Sequence, residues 1–263
     1  MGYYAIIVFG GLGLLFAVGL AIAGRLLRTD EDGRKSDVLR SLPGVNCGAC
    51  GFAGCEGFAG GLISGKAGIE KCASLTEESL KDIERMLGLT PGEIVRKKAV
   101  VYCSGGKNCS GRYGYIGVET CRASGQIFGG HKKCDYACLS FGDCSRVCPF
   151  GAITYKKGEV PVVNRELCTG CGICVDVCPK KIISLVEEKY PVHIRCSSKD
   201  NGNYVRQVCK TGCIACGVCV KVCPKKAITL KDNLAVIDYG KCNACGLCVE
   251  RCPANTIERA LPK

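Results

Sequence analysis

Histidine is nearly absent. His131 and His193 are the only two among 263 residues, which leaves little for general acid–base catalysis and does not suit a Rieske-type centre. Nucleotide-phosphate motifs are missing too. No Gly-x-Gly-x2-Gly follows a strand pattern and opens a helix: Gly10, Gly11 and Gly13 lie inside an apolar run. SGGKNCSG at 104–111 does not have the spacing of a P-loop. Long strand patterns are lacking as well. The candidates are short, GAIT at 151–154, KAIT at 226–229 and LAVID at 234–238, so a large hydrophobic core is not expected. Charge is absent from Tyr3 to Gly24, and no basic side chain precedes that stretch.

What the chain has instead is cysteine, 25 in all. Cys168-x2-Cys171-x2-Cys174-x3-Cys178-Pro179 recurs as Cys213-x2-Cys216-x2-Cys219-x3-Cys223-Pro224 and as Cys242-x2-Cys245-x2-Cys248-x3-Cys252-Pro253. A degenerate copy runs Cys134-x3-Cys138-x5-Cys144-x3-Cys148-Pro149. This is the run by which bacterial ferredoxins hold [4Fe–4S] clusters: three close thiolates grip one cluster and the fourth reaches to its neighbour. Zinc sites favour two Cys-x2-Cys pairs separated by a longer spacer. Disulfide frameworks of comparable cysteine density belong to short secreted domains.

The repeat is larger than the motif. Cys121, Cys134, Cys138, Cys144 and Cys148 recur 75 residues on as Cys196, Cys209, Cys213, Cys219 and Cys223, and Cys168, Cys171, Cys174 and Cys178 recur 74 on. A near-constant offset implies a duplicated two-cluster unit. The expected fold class is α+β and iron–sulfur: an N-terminal transmembrane helix, a small [4Fe–4S] module, then two tandem ferredoxin-like units. Cross-ligation yields four sets: Cys134, Cys138, Cys144 and Cys178; Cys148, Cys168, Cys171 and Cys174; Cys213, Cys216, Cys219 and Cys252; Cys223, Cys242, Cys245 and Cys248. Phe141 stands where the partner repeat has Cys216, and Cys134 is the expected substitute, although its twin Cys209 is needed by no cluster. Cys103, Cys109, Cys121, Cys196 and Cys209 remain. Four of them could hold a sixth cluster shared between the units, or they could be reduced thiols packed as small hydrophobes.

The apolar stretch YYAIIVFGGLGLLFAVGLAIAG at 3–24 would rise about 33 Å as a helix, enough for a hydrocarbon core of about 30 Å. Arg25, Arg28, Arg34 and Lys35 follow it. By the positive-inside rule the N-terminus faces out and the rest is cytoplasmic. Ala21-Ile22-Ala23 resembles a signal-cleavage site, but a basic n-region is missing and the run exceeds a usual h-region. Gly10, Gly13, Ala17, Gly19 and Ala23 offer small faces to another membrane helix. Next, LPGVNCGACGFAGCEGFA sets out Cys47, Cys50 and Cys55, and Cys72 completes a candidate cubane set. Ser74-x2-Glu77 reads as a capping box opening an amphipathic helix through Leu80, Ile83 and Leu87, ended near Gly88 and Pro91.

The formal charge of +12 counts every cysteine as neutral. Six oxidised cubanes at about −2 each would offset it, so the basic excess reads as counter-charge, with nucleic acid not expected as a partner. Lys180-Lys181 and Lys225-Lys226, directly after Cys-Pro turns, could ease cluster reduction or steer an acidic carrier. A surface solvated in the ordinary way is the plainer role. A chain with so many thiols and so small a core should fold together with its metal.

An apolar anchor, an LPGVNCGACGFAGC module and tandem ferredoxin units, in that order, resemble the B subunit of the Rnf ion-translocating oxidoreductase complex over essentially the whole chain. The resemblance implies other complex subunits as partners and soluble ferredoxin as electron donor. It also implies a single-pass location in the inner membrane and coupling of ferredoxin:NAD oxidoreduction to Na+ or H+ transport. The expected boundaries are an anchor at 1–25, a linker at 26–37, the module at 38–98, the first unit at 99–190 and the second at 191–263. Two other readings compete. One is a polyferredoxin subunit of a hydrogenase or reductase; the other is a catalytic iron–sulfur enzyme with an open iron where Phe141 replaces cysteine. Topology has a direct check. A cytoplasm-specific reporter fused after Lys35 should be active, and periplasmic activity there would reverse the orientation.

Overall fold

A computed structural model describes residues 2–26, 33–89 and 95–260; Arg28 and Pro91 lie outside them. Helix α1, Gly2–Leu26, is long and apolar enough to cross a membrane, with a span at Ile7–Arg25 of mean hydropathy 2.3. Its large apolar side chains, Phe9, Leu14 and Leu20 among them, are exposed. That arrangement would be unfavourable in water and suits lipid.

The module is helical. Helix α2, Gly33–Ser41, packs Val38 against α3, Gly54–Ile63, and α4, Glu77–Leu87. Part of the expected linker, 33–37, is therefore the start of α2, and Lys35 within it pairs with Glu56 of α3. Phe58, Ile69, Leu75 and Ile83 complete the packing, with Cys50, Cys55 and Cys72 against it. Helix α4 ends as expected in a left-handed Gly88, but its N-cap is Thr76, whose Oγ1 accepts from the Ser79 amide. Thr76 directly precedes the helix and can reach the third amide after it. Ser74 bonds Thr169 instead.

Two α+β stretches follow with one layout. In the first, β1, Lys97–Val101, precedes α5, Cys121–Gln126, and α6, Asp143–Arg146; the pair β2, Ile153–Thr154, and β3, Val162–Val163, leads to α7, Ile173–Val177, and β4, Ile183–Glu187. Strand β4 returns antiparallel to β1, with Val101 opposite Ile183. In the second, β5, Val192–Ile194, is followed by α8, Gly202–Val208, and α9, Val218–Val222, the hairpin β6, Ile228–Lys231, and β7, Leu234–Ile237, then α10, Leu247–Glu250, and β8, Ile257–Arg259. Strand β8 pairs antiparallel with β5. The β6–β7 turn places Asp232 and Asn233 at positive φ, the form that matches strand twist in a two-residue hairpin. Among the described residues every sheet has two strands. Their buried faces meet in clusters that include cysteines: Ile153, Ile182 and Ile183 with Cys138, Cys144, Cys168 and Cys174, and Ile194, Ile228 and Ile257 with Cys219 and Cys248.

The stretches meet through polar contacts. Arg195 donates to the carbonyls of Val101 and Cys103, Ser197 to Tyr102 and Ser104 to Thr211. At the seam, buried His193 shares a 2.8 Å hydrogen bond between its Nδ1 and the Tyr239 hydroxyl, which also approaches Tyr102. Its Nε2 is buried without a partner. Burial, then Arg165 and Arg195, push His193 down to about 4 from 6.5. The unfolded chain therefore takes up a proton near pH 6.5 while the fold resists it. The stabilisation is complete above that pH and is lost as pH falls towards 4, by on the order of 2–3 kcal/mol. Anaerobic denaturation midpoints of the unaltered protein and of His193→Gln at pH 7 and pH 5 should show the smaller acid loss in the variant. Equal losses would assign the acid sensitivity elsewhere.

Candidate metal centres

The four Cys-Pro motifs adopt one backbone. Two residues after each leading cysteine the chain turns left-handed, at Ser140, Gly170, Ala215 and Ala244, and again at Gly142, Gly172, Gly217 and Gly246. The third residue after the last cysteine of each motif does the same, at Gly151, Lys181, Lys226 and Asn255. For a residue with a side chain this costs roughly 1–2 kcal/mol. Successive reversals turn amide N–H groups into a concavity that favours negative charge. The amides of Ala244, Ala227 and Thr256 lie 3.3–3.4 Å from the sulfurs of Cys242, Cys223 and Cys252. Gly170 has a further reason to lack a side chain, because a Cβ there would stand 2.2 Å from the Lys97 carbonyl oxygen. The degenerate copy keeps this loop although Phe141 replaced its cysteine.

These loops gather the thiols around small cavities. Cys213, Cys216, Cys219 and Cys252 line one. Cys148, Cys168, Cys171 and Cys174 line another. The third differs from the expectation: Cys138, Cys144 and Cys178 line it together with Cys121, not Cys134. Cys121 opens α5 inside a segment that separates Cys103 from Cys134. The Phe141 and Asp143 amides bond its sulfur. The Phe141 ring, turned to other use, packs on Tyr115 and His131 of that same segment, and His131 bonds Ser124 of α5. Thus Phe141, which stands where the other motifs have cysteine, packs against the segment that brings Cys121 to this cavity. Cys134 faces a different cavity, with Cys103, Cys109, Cys196 and Cys209.

The other two sets are visible in their electrostatics. Burial raises Cys72, with further upward pushes from Cys47, Cys50 and Cys55. Burial also raises Cys248, followed by Cys242, Cys245 and Cys223. Cys138, Cys144 and Cys174 are pushed up to about 12, mainly by burial and then by neighbouring thiols. Such groups are protonated when free and ionise when a metal compensates them. Among the described residues, no three or more His, Cys, Asp or Glu side chains close around a single ion. Thiols on a zinc ion would stand about 4 Å apart, given bonds of about 2.3 Å; here they surround a space, as a four-iron, four-sulfide core requires. Neither histidine belongs to a set.

Comparisons with known proteins agree with the donor chemistry. A family model for an Fe-S cluster matches residues 42–74. Models of the 4Fe-4S dicluster domain match 133–183, 167–228 and 212–256. The chain is 42% identical over 236 residues to the B subunit of the Na(+)-translocating ferredoxin:NAD(+) oxidoreductase complex of Acetobacterium woodii, covering 89% of this chain and 71% of that protein. It is 40% identical to the B subunit of the ion-translocating oxidoreductase complex of Methanosarcina acetivorans, over 90% of each. Against the B subunit of the proton-translocating ferredoxin:NAD(+) oxidoreductase complex of Clostridium ljungdahlii the identity is 34%, over 88% of this chain and 82% of that one.

The exchange of Phe141 for Cys121 is testable. Cys121→Ala should lower bound iron by about four atoms per chain, and adding Phe141→Cys should restore them, because the surrounding loop already has the motif's shape. Full iron in the single variant would remove Cys121 from the set.

Proposed function

The chain belongs to the B-subunit family of Rnf-type ion-translocating oxidoreductase complexes, and on that premise we propose that it is the complex's membrane-anchored multi-cluster electron carrier. Electrons enter from reduced soluble ferredoxin and leave toward membrane and flavin-bearing subunits that reduce NAD, with Na+ or H+ transport coupled to that flow. Helix α1 anchors the chain in the inner membrane, N-terminus out, with the iron–sulfur domains in the cytoplasm.

Five four-cysteine sets fit cubanes: Cys47, Cys50, Cys55 and Cys72; Cys121, Cys138, Cys144 and Cys178; Cys148, Cys168, Cys171 and Cys174; Cys213, Cys216, Cys219 and Cys252; Cys223, Cys242, Cys245 and Cys248. When bound, such clusters supply one-electron carriage, their potentials tuned by N–H···S bonds, charge and exposure. The chain's part is to hold the sets in order, and that order is the observation that carries the reading. Each ferredoxin-like unit exchanges its fourth ligands, which keeps its two sets adjacent. The module lies against the Cys168–Cys171 loop: Ser74 bonds Thr169, and Cys47 is near enough to add to the raised Cys171, after burial. In the second unit Cys216 and Cys245 are exposed, unlike the other thiols, and Lys225 and Lys226 of the same unit are exposed as well. An acidic donor fits there, and the module next to the anchor fits the exit.

Exchanging Cys50 for Ala should remove the module's cluster and block delivery to membrane partners, while ferredoxin still reduces the remaining clusters, followed by visible bleaching. Normal ferredoxin-to-NAD transfer by the assembled complex carrying this variant would rule the module out as the exit.

A further inference from the structure

Five cysteines belong to none of those sets, and all five line one cavity between the units: Cys103, Cys109, Cys134, Cys196 and Cys209. We infer that Cys103, Cys134, Cys196 and Cys209 form a sixth [4Fe–4S] site straddling the two units, with Cys109 as a hydrogen-bond donor to it rather than a ligand. This rests on the reading of the chain as an iron–sulfur carrier and adds a connection that reading lacks.

The four are two positions used twice. The Tyr102 amide bonds the Ile182 carbonyl, and the Arg195 amide bonds that of Thr256. Ile182 and Thr256 each stand four residues after a Cys-Pro cysteine, Cys178 and Cys252. Cys103 and Cys196, the next residues along, are therefore equivalent by strand pairing. Counting along the chain pairs Cys196 with Cys121, because the lead-in separates Cys103 from Cys134 by 31 positions against 13 between Cys196 and Cys209. Cys134 and Cys209 in turn precede Cys138 and Cys213 by four.

The four sulfurs also share a local geometry. Each accepts from the amide two residues on: Gly105 to Cys103 at 3.4 Å, Ser198 to Cys196 at 3.5 Å, Tyr136 to Cys134 and Thr211 to Cys209. Cys109 has a different role. Its thiol donates to the Ser110 carbonyl at 3.9 Å and lies in hydrogen-bonding contact with the Cys209 sulfur. Glycines keep the cavity open. A Cβ on Gly105 would lie 3.0 Å from the Cys109 Cβ and 3.4 Å from the Cys209 sulfur, and one on Gly212 would lie 3.6 Å from that sulfur. Positive charge is at hand: Lys132 donates to the carbonyls of Gly106 and Cys109, and Arg195 to that of Cys103.

The position gives the site a purpose. The Cys138 amide bonds the Cys103 sulfur at 3.4 Å, and the Cys213 amide bonds that of Cys196. Cys138 and Cys213 are ligand positions of the nearer set in each unit. The sixth site thus joins sets that otherwise have no thiols between them.

The test counts iron and acid-labile sulfide on the anaerobically reconstituted full chain. About 24 of each are expected for six cubanes. Cys109→Ala should keep that number, while Cys134→Ala and Cys196→Ala should each lower it to about 20 and remove one spin system from the electron paramagnetic resonance of the reduced protein. Should the latter two fail to fold, the first still decides, since only four unassigned thiols remain in it. About 20 in the unaltered protein would overturn the site, and about 20 in Cys109→Ala would overturn the ligand set. Failure of electron delivery with 24 irons present would instead count against the carrier reading.

Discussion

Gathering four thiolates in one buried pocket is electrostatically costly, and the local structure is organised around that cost. Like charges a few ångströms apart in a low-dielectric site repel strongly, which is why the free thiols of Cys138, Cys144, Cys174 and Cys196 are pushed up to about 12, burial leading and neighbouring thiols adding to it. The left-handed residues at Ala215, Ala244, Lys181 and Lys226 are unfavourable alone and turn N–H groups toward sulfur. The excess of Lys and Arg over Asp and Glu, 36 against 24, is the long-range form of the same compensation.

The fold is thin apart from its thiols. Two-stranded sheets are marginal in water without something to pack against. Here Ile153, Ile183, Ile228 and Ile257 pack among cysteines, so the centre of each unit is built in large part from thiols. Only the module has a more ordinary core, with Phe58, Val38 and Ile83 fully buried.

The motif cysteines were legible because their chemistry is local: Cys-x2-Cys-x2-Cys-x3-Cys-Pro specifies a loop, and the loop forms wherever it occurs. The apolar helix and the module's four cysteines were legible for the same reason. Cys121 was not. Its place depends on a ring contact between Phe141 and Tyr115 and on the path of a long lead-in, neither of which leaves a periodic signal. Counting in steps of 75 then paired the wrong cysteines, since register across a sheet, not distance along the chain, fixes which residues correspond. The Thr76 cap was hidden by a competing match at Ser74, which tertiary contact with Thr169 claims.

The cavity between the units has one more consequence, for biosynthesis. Its walls are contributed by residues as far apart as Cys103 and Gly212. A chain emerging from the ribosome presents the module and the whole first stretch before the last of those walls exists. The early sets can close one after another in the order of translation, but this one must stay open until the second stretch docks. A truncated or stalled chain would thus carry Cys103, Cys109 and Cys134 uncovered, and quality control could tell it from a finished one by those thiols.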